Sequence, residues 1–115
     1  MEPRDNAAVL DRDQLREVTL DDELLMREVL EALVDDTRRQ MLLLDAAIRE
    51  QDATRCVRLA HYSKGACANV GARGAAEILK EIESKAANRD FPECRSALDR
   101  LAEQVDRIHS EAVSL

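Results

Sequence analysis

Few side chains in this chain can act as a nucleophile near neutral pH. There are two histidines, His61 and His109, and three cysteines, Cys56, Cys67 and Cys94. The cysteines form no CxxC pair, and their odd number argues against a disulfide framework or a zinc site. In a reducing compartment each reads as a small apolar side chain. No histidine shares a helical face with Cys67, so that thiol lacks a neighbouring base. A di-metal bundle would need Glu-x-x-His pairs on facing helices, and the sequence has none. Attention therefore falls on His61 within the run ATRCVRLAHYSKGACANVG.

On a helix that steps about 100° per residue, Leu59, Ser63, Ala66 and Val70 cluster opposite His61. Cys56, Ala60 and Cys67 fall at the edge of that cluster, which is the expected core stripe. His61 then points to solvent, and its face holds Val57, Arg58, Lys64, Gly65 and Ala68. A glycine in mid-helix costs about 0.5–1 kcal/mol relative to alanine. Gly65 stands one turn after His61, with Ala68 nearly in line a turn further on. Small residues there clear a path by which another molecule can reach the imidazole. Lys64 lies three residues from His61, within side-chain reach. A cation beside an exposed imidazole suits a site that holds an anion, and a phosphoryl group on His61 would be that anion. Singly, these residues read as an ordinary surface histidine, a solvated lysine and a packing glycine. Their coincidence away from the core favours the chemical reading.

Apolar spacing indicates the elements that must position this face. Asp11–Val18 predicts a short helix. Thr19 followed by Asp22 resembles a helix-starting box, and a long helix is expected from there to about Gln51. Its predicted stripe is Leu25, Val29, Leu33, Met41, Leu44 and Ile48. Asp52 is expected to cap a helix over Thr54–Val70, which Gly71 ends in a left-handed conformation. Ala75, Leu79, Ile82 and Ala86 mark a third bundle helix. Asn88-Arg89-Asp90 breaks it. Asp90 with Glu93 then caps a last helix, with Pro92 in its first turn. That helix carries Phe91, Cys94, Leu98, Leu101, Val105, Ile108 and Ala112 at core positions. His109 is expected at the edge of this stripe without a role. The expected fold is all-α: an antiparallel four-helix bundle with a short extra N-terminal helix, over 11–115, behind a flexible segment 1–10. Acidic clusters such as Asp21-Asp22-Glu23 and Asp35-Asp36 read as solvated surface.

Composition supports this and narrows the function. Three Gly and two Pro are too few for the many turns of a β-sandwich or barrel. The charge sum is 17 − 24 = −7, and aromatics are only 2%, which argues against a nucleic-acid partner because phosphates would repel the chain. No apolar run approaches the roughly 20 residues needed to span a bilayer, and MEPRDNAAVLDRD has no apolar signal core. A cytoplasmic monomer with no membrane contact is therefore expected.

The segment HYSKG, followed by ACANVGA, resembles the HxxKG signature of histidine-containing phosphotransfer (HPt) domains. The likeness extends to LDRDQLREV, to AAIREQD before the His61 helix, and to Asn69-Val70-Gly71-Ala72 after it, covering roughly residues 10–113. Two positions depart from the usual pattern: Tyr62 replaces a small polar residue and Ser63 a leucine. Those departures would alter local packing or the receiver that is preferred. The resemblance implies that Nε2 of His61 accepts a phosphoryl group from a receiver-domain aspartate of a hybrid histidine kinase. His61 then donates it to the receiver of a response regulator. Lys64 would supply positive charge to the phosphoryl oxygens, since phosphoryl transfer depends on positioning and electrostatics. Glu83 would accept a hydrogen bond from His61 Nδ1–H and leave Nε2 free; its alternative is a half-exposed residue paired with Lys80. The docking face would comprise Val57, Arg58, Lys64, Gly65 and Ala68, with Leu10 and Leu15 added by the short helix. The divalent metal and acidic pocket of such reactions belong to the receiver, so no cofactor or metal of this chain's own is implied. GARG at 71–74 lacks the Walker spacing and its lysine, so autonomous kinase activity is not expected. A competing reading is a helical adaptor that sequesters receivers. The joint presence of His61, Lys64 and Gly65 favours transfer.

Overall fold

The computed structural model describes residues 8–115, which form five helices with no strand among them. They are α1 (Arg12–Thr19), α2 (Glu23–Arg49), α3 (Ala53–Val70), α4 (Arg73–Ala87) and α5 (Phe91–Val113). Helices α2 to α5 form a closed ring: α2 packs on α3 and α5, and α4 packs on the same two. Their short connections make neighbours antiparallel. The expected all-α bundle with an extra N-terminal helix is the observed architecture.

Four of the five helices start in the same way. Asp11, Asp22, Asp52 and Asp90 each accept a hydrogen bond from the amide three residues on, those of Gln14, Leu25, Arg55 and Glu93. Such a cap stabilises a helix by about 1 kcal/mol. One expected start is corrected. Thr19 does not open the long helix; it ends α1, is buried, and donates from Oγ1 to the Leu15 carbonyl at 2.7 Å. Asp22 takes the capping position because its carboxylate faces free amides, whereas the Thr19 hydroxyl is already committed.

The end of α3 depends on Gly71, with φ +92°. The Asp11 amide donates to the Gly71 carbonyl at 2.7 Å, and a Cβ at Gly71 would sit 2.8 Å from the Asp11 carbonyl oxygen. Gly71 thus provides both the left-handed turn and the close approach that seats α1. Gln14 Nε2 adds hydrogen bonds to the Ala68 and Asn69 carbonyls at 2.6 and 3.2 Å, so α1 covers the C-terminal end of α3. Residues 1–7 of the expected flexible segment lie outside the described residues. Leu10 is buried, and the Ala8 carbonyl accepts from the Gly74 amide.

The core differs in detail from the periodic expectation. On α2, Met26, Leu30, Leu33, Val34, Thr37, Leu44, Ala47 and Ile48 are buried, while Leu25 is 39% exposed. On α3, the buried stripe is Cys56, Ala60, Ser63 and Cys67, with Leu59, Ala66 and Val70 only partly covered. This stripe is rotated by about 60° from the expected one, counting 100° per residue. The reason is the neighbour. Small side chains at Cys56, Ala60 and Cys67 let α3 pack closely on α4, which presents Ala75, Leu79, Ile82 and Ala86. Leu10 and Leu15, expected on the docking face, belong to the core instead. His109, expected at the core edge, is exposed.

Ser63 is buried at 1% exposure, and its hydroxyl has no hydrogen-bond partner. An unsatisfied buried hydroxyl costs about 1–3 kcal/mol, and alanine is also the better helix former. Ser63→Ala is expected to stabilise the fold by about 1 kcal/mol. The urea midpoint, at constant slope, measures it; an unchanged or lower midpoint would mean that the hydroxyl finds a partner in solution.

Candidate functional site

His61 sits midway along α3, and Glu83 in the C-terminal half of α4. Only Gly71 and Ala72 separate the two helices, so their residues pair in antiparallel register and Glu83 lies level with His61. Glu83 Oε2 is 3.0 Å from His61 Nδ1, and Lys64 Nζ donates to Glu83 Oε1 at 2.8 Å. One carboxylate therefore holds both the imidazole and the lysine. The His61 side chain is 68% exposed, against 25% for Glu83 and 30% for Lys64.

The protonation pattern follows from these contacts. The Lys64 ammonium, and then the His61 ring, hold the Glu83 carboxyl below its ordinary 4.5, against an opposing desolvation. Glu83 is thus an ionised carboxylate at neutral pH and can only accept. Nδ1 must then carry the proton, and in neutral His61 the lone pair is on Nε2. These contacts stabilise the fold above pH 4.5, and that contribution fades as the pH falls further. The ring thus presents an oriented, solvent-facing nucleophile whose rear nitrogen is anchored, an arrangement suited to transient covalent chemistry at Nε2.

The surroundings of Nε2 are open. A Cβ built on Gly65 would meet nothing within 4 Å. Arg58 and Ala68 are exposed, and Val57 is partly buried against the core. Ala53, Thr54, Val57, Arg58, His61, Glu83 and Ala87 line a shallow groove between α3 and α4. Of the expected site residues, His61, Lys64 and Glu83 come together, and Val57, Arg58, Gly65 and Ala68 surround them. Glu83 pairs with Lys64 and His61 rather than with Lys80. Lys64, expected to lend charge to phosphoryl oxygens, is held here by Glu83.

A further contact was not foreseen. The Tyr62 hydroxyl donates to Asp36 Oδ2 on α2 at 3.1 Å, and Arg39 pairs with Asp36 at 3.4 Å. Asp36, expected to be fully solvated, is half-buried by this link. Its carboxylate pushes the Tyr62 phenol upward, mainly by accepting the hydrogen bond. Tyr62 already stood out as a departure at the position after His61; its partner on another helix left no local signal. The remaining candidate nucleophiles are quiet. Burial pushes the Cys67 and Cys94 thiols up to about 11, so they stay protonated.

A family model described as "Hpt domain" matches residues 28–111. The fold is also similar to the crystal structure of histidine-containing phosphotransfer protein B (HptB) from Pseudomonas aeruginosa PAO1. The TM-score is 0.85 at 23% sequence identity, with 94% of each chain covered. None of the curated proteins matches this chain.

Proposed function

Because the chain belongs to the Hpt domain family, we propose that it is a phosphorelay intermediate that carries a phosphoryl group on Nε2 of His61 between receiver domains. The observation that carries this reading is the anchoring of His61 Nδ1 by Glu83 on a solvent-facing ring. The Nε2 lone pair attacks the phosphorus of a receiver's aspartyl phosphate. An N–P bond forms, the P–O bond to the aspartate breaks, and the aspartate leaves as a carboxylate. The ring keeps its Nδ1 proton and becomes cationic, which the Glu83 carboxylate stabilises. Transfer to a second receiver reverses these changes. Lys64 is positioned to turn from Glu83 toward the phosphoryl oxygens, where its charge opposes their repulsion. Such a step needs no nucleotide and gives the chain no kinase activity of its own. Among the described residues no helix is long and apolar enough to cross a membrane.

The test is incubation with a receiver labelled on its aspartate. A transfer protein acquires an acid-labile, base-stable label on His61. Receiver binding without label would leave an adaptor, and release of inorganic phosphate with no stable label would indicate a phosphatase.

The role given to Glu83 has its own check. In Glu83→Ala, Nδ1 loses its acceptor, and the neutral ring is expected to divide between its two tautomers. Transfer should slow by about tenfold or more, a typical cost for a lost orienting group. Imidazole 15N shifts and single-turnover rates measure the two effects. If both match the wild type, Glu83 is only a surface carboxylate.

A further inference from the structure

Tyr62 is the chain's one tyrosine, and it follows His61 directly on α3. It is 54% exposed, although the only other aromatic, Phe91, is buried. At 100° per residue its side chain leaves α3 on the flank of the His61 face that turns toward α2. There its hydroxyl is fixed by Asp36, which Arg39 holds in turn. Stability does not account for this residue. Tyrosine is a poorer helix former than alanine, and a hydrogen bond at the surface contributes little net free energy. What the link does is hold a large amphipathic ring, on the residue next to His61, toward α2. An aromatic held in place in the free protein loses little rotamer freedom when a partner covers it. Such rings carry a disproportionate share of interface binding energy.

We infer that Tyr62 is a specificity-determining anchor: it docks the receiver domain on the α2 side of His61, with Asp36 and Arg39 as its positioning residues. The inference rests on the proposed phosphorelay role and adds which part of the surface selects the partner. Tyr62 touches the partner's surface and not the reacting atoms, so it acts on docking and leaves the chemical step alone. The partner surface that fits is an apolar patch next to the phosphorylated aspartate, with room for a ring lying across the α2–α3 seam.

The experiment uses receiver domains from the same proteome, each phosphorylated with acetyl phosphate and assayed separately for transfer to the full chain. For the fastest receiver, Tyr62→Ala is expected to raise KM about tenfold and to leave the saturated rate unchanged. The rate advantage of that receiver over the others should shrink accordingly. Tyr62→Phe keeps the ring but frees it from Asp36, so its KM should fall between those of wild type and Tyr62→Ala, with Asp36→Ala behaving alike. Labelling of His61 by phosphoramidate, which needs no docked protein, should not change in any of these variants. A KM within twofold of wild type in Tyr62→Ala, or a loss confined to the saturated rate, overturns the inference. If phosphoramidate and receivers alike fail to label wild-type His61, the phosphorelay role itself fails. The Kd of an unphosphorylated receiver for wild type and Tyr62→Ala then decides the anchor separately, and equal values reject it.

Discussion

His61→Gln is expected to remain folded and to take up no phosphoryl label from any receiver. The side chain is 68% exposed, so little packing is lost. The glutamine amide can still donate to Glu83, and the Lys64–Glu83 pair stays in place. Stability should therefore change by no more than about 0.5 kcal/mol, the usual range for a surface substitution. Labelling, in contrast, should vanish, because an amide nitrogen has no lone pair available to form an N–P bond. The informative comparison is with His109→Gln. His109 is exposed on α5 and makes no hydrogen bond among the described residues, so its variant should label like wild type. Acid-labile label in His61→Gln at wild-type levels would move the site elsewhere, and the geometry around Glu83 would lose its proposed meaning.

Gly65→Gln is expected to separate folding from transfer in the opposite sense. A Cβ at this position meets nothing within 4 Å, so the new side chain projects into open space with no strain. Replacing a mid-helix glycine should stabilise the chain by about 0.5–1 kcal/mol. Yet the added bulk lies one turn from His61, about 40° around the helix, where an incoming receiver must bring its aspartyl phosphate. Displacing the reacting atoms by an ångström costs about 100-fold in rate, and a loss of at least that size is expected in receiver-to-His61 transfer. Phosphoramidate, being small, should still label the variant at close to the wild-type rate. Gly65→Ala should fall between the two. A more stable variant with wild-type receiver kinetics would show that the open space above Gly65 is not an approach path.

These variants address features that could be read from the chain to very different degrees. The helices and the starts of α3 and α5 were legible because capping and apolar spacing are local. Asp52, Gly71 and Asp90 stand where a helix needs an acceptor or a left-handed residue, and they act there. The side of α3 that carries His61 was legible for the same reason. A helical wheel settles which residues share a face, whatever packs behind them.

The errors arose where a neighbour had to be known. Leu25 fits a period of four with Val29 and Leu33, but Met26 and Leu30 are the residues that meet the core. An amphipathic helix can turn by half a residue step without breaking its pattern, and only the partner helices choose the rotation. Leu10 and Leu15 are apolar residues near the site in sequence logic, yet both join the core: the charged face of α1 turns outward and Leu15 inward, and Leu10 is buried just before the helix cap.

What the sequence by itself determined is therefore the set of helices and the exposed face with His61, Lys64 and Gly65, where the segment resembling the HPt signature lies. These are properties of residues within a few turns of one another, fixed by backbone geometry alone. Only the tertiary structure decided that Glu83 grips His61 and Lys64 at once, and that Asp36 pins Tyr62. Those links join residues 19 to 26 positions apart on different helices. Their distances depend on how closely α3 packs on α4 and α2, which the small side chains Cys56, Ala60 and Cys67 permit but no local period encodes.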